Sequence, residues 1–153
     1  MKTCCFTGHR MISKAEQEQF MPKLKEELYN LVKNEGVAVF RNGGALGFDT
    51  ITALLVIELK KEFPDIKLLI DAPHKNQSAR WKEFDRVVYD YILKNADRIT
   101  YLSEEYFEGC MQYRNRYMVN NSDFVIAYIK RARGGAYYTA SYAESEDKKV
   151  IYI

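Results

Sequence analysis

Four short stretches of the 153-residue chain carry residue types able to hold an anion or a sugar hydroxyl. Thr7-Gly8-His9-Arg10 supplies a hydroxyl, a flexible glycine, an imidazole and a guanidinium. The planar fork of Arg10 suits two phosphate oxygens at once, and His9 reads either as a hydrogen-bonding turn residue or as an acid or base. Residues 42–49, Asn-Gly-Gly-Ala-Leu-Gly-Phe-Asp, place Gly43, Gly44 and Gly47 where backbone amides at a helix start could cradle a phosphate. Their spacing is neither the dinucleotide fingerprint nor the Walker A loop, and a turn that only packs strand against helix is the competing reading. Asp49 either compensates the helix dipole or accepts hydrogen bonds from ribose hydroxyls. Arg114-Asn115 forms a third stretch, with an ordinary surface arginine paired along its helix as the alternative. In the fourth, Gly134-Gly135 precede Thr139. Of the basic residues Lys130, Arg131 and Arg133 before them, Arg133 is the best ligand candidate and the others read as a solvated loop.

Several kinds of chemistry drop out. His9 and His74 are the only histidines, and Cys4, Cys5 and Cys110 lack ligand spacing, so neither a metal nor a cofactor is expected. Adjacent Cys4 and Cys5 should point to opposite faces of a strand as small buried hydrophobes, with a reactive thiol at Cys110 as the alternative. A net charge of +2 is too mild to demand a nucleic-acid partner, so anion specificity must come from local geometry. No apolar run approaches the roughly 18 residues of a membrane span, and the N-terminal apolar run is too short for a signal peptide, which together imply a cytoplasmic protein with no membrane partner.

Elements must bring the four stretches together, and the pattern is β, α, β, α throughout. Strands are expected at 3–6, 37–40, 66–70, 98–102, 124–129 and 150–153. Helices are expected from Ser13 to Asn34 and over 47–63, 81–95, 111–120 and 136–145. Ser13 with Glu16 reads as a capping box and Gly36 as a helix stop. A length of 153 residues suits one domain over 1–153. The implied fold is α/β: a three-layer, doubly wound, Rossmann-like, mostly parallel sheet with helices on both faces, whose ligands bind beyond the carboxyl ends of the strands. Each of the four stretches follows a strand or opens a helix on that edge.

These motifs, in order, resemble the SLOG superfamily, the Rossmann-like fold shared by DprA, the cytokinin-activating LOG enzymes and YpsA-like proteins. The resemblance is carried by Phe6 to Arg10, Gly43 to Asp49, Glu104 to Met111, Arg114 to Val119 and Gly134 to Ala140, and it is nearest to the YpsA-like branch. It implies a nucleotide pocket more firmly than an activity. The LOG motif Pro-Gly-Gly-x-Gly-Thr-x-x-Glu finds Arg133-Gly134-Gly135 here but no second-half glycine, and Tyr142 stands near the place of the glutamate. A phenol with a pKa of about 10 does not replace a carboxylate base at neutral pH.

The expected function is therefore non-enzymatic binding of a nucleotide or a nucleotide-derived signal, ADP-ribose-like or cyclic, by a sensor or a sequestering protein. Phosphates would sit on both glycine turns with Arg10 and Arg114 as charge partners. The two rivals are an N-glycosidic hydrolase using Asp49, Glu104 or His9, and a DprA-like binder of single-stranded DNA for which the twelve tyrosines offer stacking surfaces. A homo-oligomer is compatible with exposed helix faces.

Overall fold

The computed structural model describes residues 1–153. Strands β1 (Lys2–Thr7), β2 (Val37–Asn42), β3 (Lys67–Ala72), β4 (Arg98–Tyr101), β5 (Phe124–Ala127) and β6 (Lys149–Tyr152) alternate with helices α1 (Lys14–Lys33), α2 (Phe48–Leu59), α3 (Glu83–Asn95), α4 (Cys110–Asn120) and α5 (Gly135–Ser145). All strands pair in parallel in one sheet of order β4-β3-β2-β1-β5-β6. The expected doubly wound architecture is the observed one.

The chain steps outward from β1 to β4, then returns to the other side of β1 for β5 and β6, so the winding reverses between β1 and β5. Right-handed crossovers then put α1, α2 and α3 on one face and α4 and α5 on the other. The packing agrees, since α1 touches α2, α2 touches α3, and α4 lies along α5. The two faces are filled unequally. Beneath α1–α3 lies a cluster of 18 buried apolar residues built around Phe6, Phe20, Phe40 and Phe48, whereas beneath α4 and α5 the cluster has 5. Cys4 belongs to the first and Cys5 to the second, as strand alternation requires. Burial pushes the Cys5 thiol up to about 12, which leaves it inert.

The cap of α1 is half of the box expected from sequence. The Ser13 hydroxyl accepts from the Glu16 amide at 3.1 Å, but the Glu16 carboxylate reaches the Tyr128 hydroxyl at 3.0 Å and Lys130 at 3.1 Å. Tertiary partners from the loop after β5 outcompete the local return bond. Gly36 does end that helix region, at φ +78°. β2 runs two residues beyond its expected end, which puts Arg41 and Asn42 inside the sheet.

Candidate functional site

At the reversal point, the loops after β1 and β5 part and leave a cleft of about 250 Å³ at the carboxyl edge of the sheet. Thr7, Gly8, His9 and Arg10 line it from the β1 turn, Asp49 from the first turn of α2, Arg114 and Asn115 from α4, and Gly135 from the start of α5. Arg10 and Arg114 thus share one cleft although they stand far apart in sequence. Gly43, Gly44, Gly47, Arg133, Gly134 and Thr139 do not line it.

The first glycine turn is filled by protein. The Gly44 amide donates to Asn42 Oδ1 at 2.8 Å, the Ala45 amide to Asp49 Oδ2 at 3.2 Å, and the Phe48 amide to the His9 carbonyl at 3.0 Å. A Cβ on Gly43 would lie 2.6 Å from the Arg114 guanidinium carbon and 2.7 Å from Asp49 Oδ2; one on Gly44 would lie 2.9 Å from the Tyr89 ring. On Gly47 it would strike the carbonyls of His9 and Arg10. Gly44 and Gly47 also sit at φ +69° and +81°. The Gly44, Ala45 and Phe48 amides thus knit the β2–α2 turn to the rest of the fold, while Ala45 and Leu46 of the same turn line the cleft.

The second glycine turn is open. Gly134 caps α5 at φ +94°, Gly135 opens the helix, and a Cβ on either would meet nothing within 4 Å. The first amides of the helix have no intrahelical acceptor, and those of Gly135 and Ala136 sit at the cleft wall with the positive end of the helix dipole. Thr139 is spent locally, its hydroxyl donating to the Gly135 carbonyl at 2.8 Å. Arg133 is exposed outside the cleft.

Arg114 is buried and largely committed. Nη1 donates to the Gly43 carbonyl at 2.6 Å and the Asp71 carbonyl at 3.2 Å, and Nε to Asn115 Oδ1 at 2.9 Å. Nη2 meets only Met111 Sδ, at 3.9 Å. Burial lowers the Arg114 pKa while Asp49 and Asp71 oppose the shift. Burial likewise raises Asp49, against Arg114, the Ala45 amide and Arg10. Arg10 is exposed and free at the cleft mouth. His9 fastens the β1 loop to the β5 loop, its Nε2 accepting from the Lys130 amide at 2.9 Å beside the edge of Tyr128. Burial, with Lys130 and Arg131 nearby, lowers its pKa and keeps the ring neutral with its proton on Nδ1.

Sequence reasoning missed the support beneath the cleft. Arg41 and Asp71, at the ends of neighbouring strands, form a buried ion pair at 2.9 Å, and Arg41 lies over the Tyr117 ring. The Asp71 backbone in turn receives Arg114. The only available signal was a charge closing each of two apolar strands. Tyr142 points away from the cleft: its hydroxyl donates to Asn120 Oδ1 at 2.6 Å, and Arg116 lies over its ring. Glu104 pairs with Lys75 in solvent, and no group of histidines, cysteines and carboxylates is arranged to hold a metal. No helix is long and apolar enough to cross a membrane.

Residues 5–153 match the sequence model of the YspA SLOG family. The chain belongs to that family. A UPF0398 protein of Bacillus cereus strain AH820 is 32% identical over 95 residues, 61% of this chain and 52% of the relative. The SPbeta prophage-derived protein YoqJ of Bacillus subtilis strain 168 is 31% identical over 140 residues, 81% of this chain and 82% of the relative. The chain therefore spans about half the length of the UPF0398 relative. Among solved structures, DprA of Streptococcus pneumoniae superposes with a TM-score of 0.72 at 19% identity, over 99% of this chain and 50% of that one. DprA of Helicobacter pylori, described for its single-stranded DNA binding mode, gives 0.66 at 20% over 99% and 64%. At such identities the likeness is one of fold.

Proposed function

We propose that this SLOG protein binds a nucleotide or nucleotide-derived signal, phosphate first, without turning it over. One observation carries the reading: a Cβ added at Gly135 would meet nothing within 4 Å and its backbone is not left-handed, so neither space nor backbone conformation inside the protein requires a glycine there. A ligand that must approach the α5 amides closely would require it. Arg10 supplies a free guanidinium at the mouth, and Asp49 offers a carboxylate to sugar hydroxyls. The Thr7 side chain, itself buried, lines the floor between them. A cleft of about 250 Å³ holds a mononucleotide-sized group and leaves the remainder of a larger signal outside. The absence of turnover is read from the acid–base inventory: Tyr142 faces away, His9 Nε2 is occupied, and Asp49 leans on Ala45 beside Arg114.

A thermal-shift and calorimetric panel of nucleoside monophosphates, ADP-ribose and cyclic nucleotides, with chromatography of the mixtures, tests both halves. A binder at about 100 times its Kd stabilises by about 2.7 kcal/mol. Release of free base would replace the reading with glycosidic hydrolysis. A second reading, single-stranded DNA binding, is favoured by exposed Tyr106, Phe107 and Tyr113 near the same edge. It predicts oligonucleotide affinity that falls steeply with salt while mononucleotides fail to bind.

A further inference from the structure

The cleft does not end at Gly135. That residue also lines a second cavity, a groove of about 460 Å³ between α4 and α5. Gly135 carries no side chain and has open space where one would stand, so the two cavities adjoin across bare backbone. Gln112 and Arg116, one helical turn apart, form the α4 wall of the groove, and Tyr138, Ser141 and Tyr142 form the α5 wall. From Gly135 to Tyr142 it follows two turns of helix, about 10 Å.

The groove holds groups that the fold leaves unused. Thr139 and Ser145 return their hydroxyls to α5 carbonyls, and Tyr142 donates to Asn120 Oδ1. The Gln112 amide and the Ser141 hydroxyl, by contrast, take part in no hydrogen bond, and Arg116 joins none of the five ion pairs. The Arg116 guanidinium lies 5.8 Å over the Tyr142 ring, which keeps the charge at the groove wall. Tyr138, one turn from Gly135, is 61% exposed.

Arg116 is also the only charged residue that lines the groove. Helix α4 contains no acid, and the single acid of α5, Glu144, accepts the Tyr152 hydroxyl. The loop before α5 brings Lys130, Arg131 and Arg133, the loop before α4 brings Glu104, Glu105 and Glu108, and the turn after α5 brings Glu146 and Asp147; none of these lines it. An exposed aromatic face, an amide able both to donate and to accept, and an unpaired guanidinium suit the face and edge of a nucleobase. Resting on the reading of the cleft given above, we propose that this groove is a second subsite and that the ligand is a dinucleotide. One nucleoside phosphate occupies the cleft, the linking phosphate crosses Gly135, and the second base lies on Tyr138 with its acceptor atoms toward Gln112 and Arg116.

Calorimetry on the full chain tests this with AMP, the pyrophosphate-linked diadenosine diphosphate and the phosphodiester-linked pApA. One of the two dinucleotides should bind about tenfold or more tighter than AMP, and the one that gains identifies the linkage. Arg116→Ala and Tyr138→Ala should each remove most of that gain and leave AMP affinity unchanged. Both side chains are exposed, so circular dichroism should match wild type. Tyr113→Ala removes an exposed aromatic of α4 outside the groove and should change neither affinity; a loss there equal to that of Tyr138→Ala would overturn the assignment. AMP binding with no gain for either dinucleotide, a gain that survives both groove variants, or variants that weaken AMP equally would overturn the subsite and leave the cleft reading standing. Binding of neither AMP nor a dinucleotide would remove both. Oligothymidylate binding lost through Arg116→Ala, with dinucleotides no tighter than AMP, would assign the groove to a DNA strand instead.

Discussion

The two glycine turns look alike in sequence and differ in what fills them. Each is a pair of glycines between a strand and a helix, at residues 43–44 and 134–135. Around the first, side chains stand where a Cβ would go, and the Gly44 and Ala45 amides are bonded inside the fold. Around the second there is open space, and the helix amides it exposes reach the cleft. A glycine demanded by its neighbours is a structural joint. A glycine demanded by none of them, at the wall of a cleft, is where the proposed ligand would come close.

The largest effects should fall on the filled turn. Arg114 holds the Gly43 and Asp71 carbonyls and is the nearest cation to buried Asp49. Arg114→Ala should therefore cost about 3–5 kcal/mol in urea unfolding, as removing one partner of a buried charge cluster does. A loss under about 1 kcal/mol would show that the guanidinium is free for a ligand, as the sequence alone suggested. Gly47→Ala, which combines a collision with two carbonyls and a left-handed backbone, should cost about 2–4 kcal/mol. Gly44→Val meets the Tyr89 ring and should act on folding, not selectively on ligand binding.

Gly135→Val carries the opposite expectation. With nothing within 4 Å of the new Cβ, stability should stay within about 0.5 kcal/mol of wild type. Nucleotide affinity, measured by calorimetry, should fall about tenfold or more, as should that of Arg10→Ala, which removes a free charge from the cleft mouth. If Gly135→Val binds normally, the contrast between the turns loses its functional meaning and the α5 amides are only a helix end.

Why the sequence distinguished fold better than site follows from what each signal reports. Strand and helix periods report local burial, and every expected element is present because local preference and tertiary packing agree. Glycine spacing reports that a Cβ is unwelcome but not whether protein or ligand excludes it, so both turns read as phosphate cradles. Thr139 sits where a ligand hydroxyl would, yet bonds back along its own helix, a choice invisible without coordinates. Arg41 and Asp71 escaped notice because their pairing is set by sheet register between strands 30 residues apart.

The smallest effect tests the hinge between the two sides of the cleft. His9 belongs to the β1 loop that packs on the filled turn, and through Nε2 it accepts the Lys130 amide from the loop leading to the open one. Burial first, then Lys130 and Arg131, lowers its pKa below the ordinary value of 6.5. As pH falls below 6.5, the unfolded chain takes up this proton before the folded chain does, so the unfolded state binds more protons and stability declines with falling pH. The contribution is present above that value and is lost between it and the lower folded pKa. Protonating Nε2 also removes the acceptor of the Lys130 bond, releasing the β5 loop and with it the approach to Gly135. His9→Gln, which retains an amide acceptor without titrating, should flatten this part of the stability profile and keep nucleotide affinity constant from neutral to mildly acidic pH, where wild type weakens. Parallel profiles for the two proteins would mean that the β1 and β5 loops are held together without His9, and that the filled and open turns are mechanically independent.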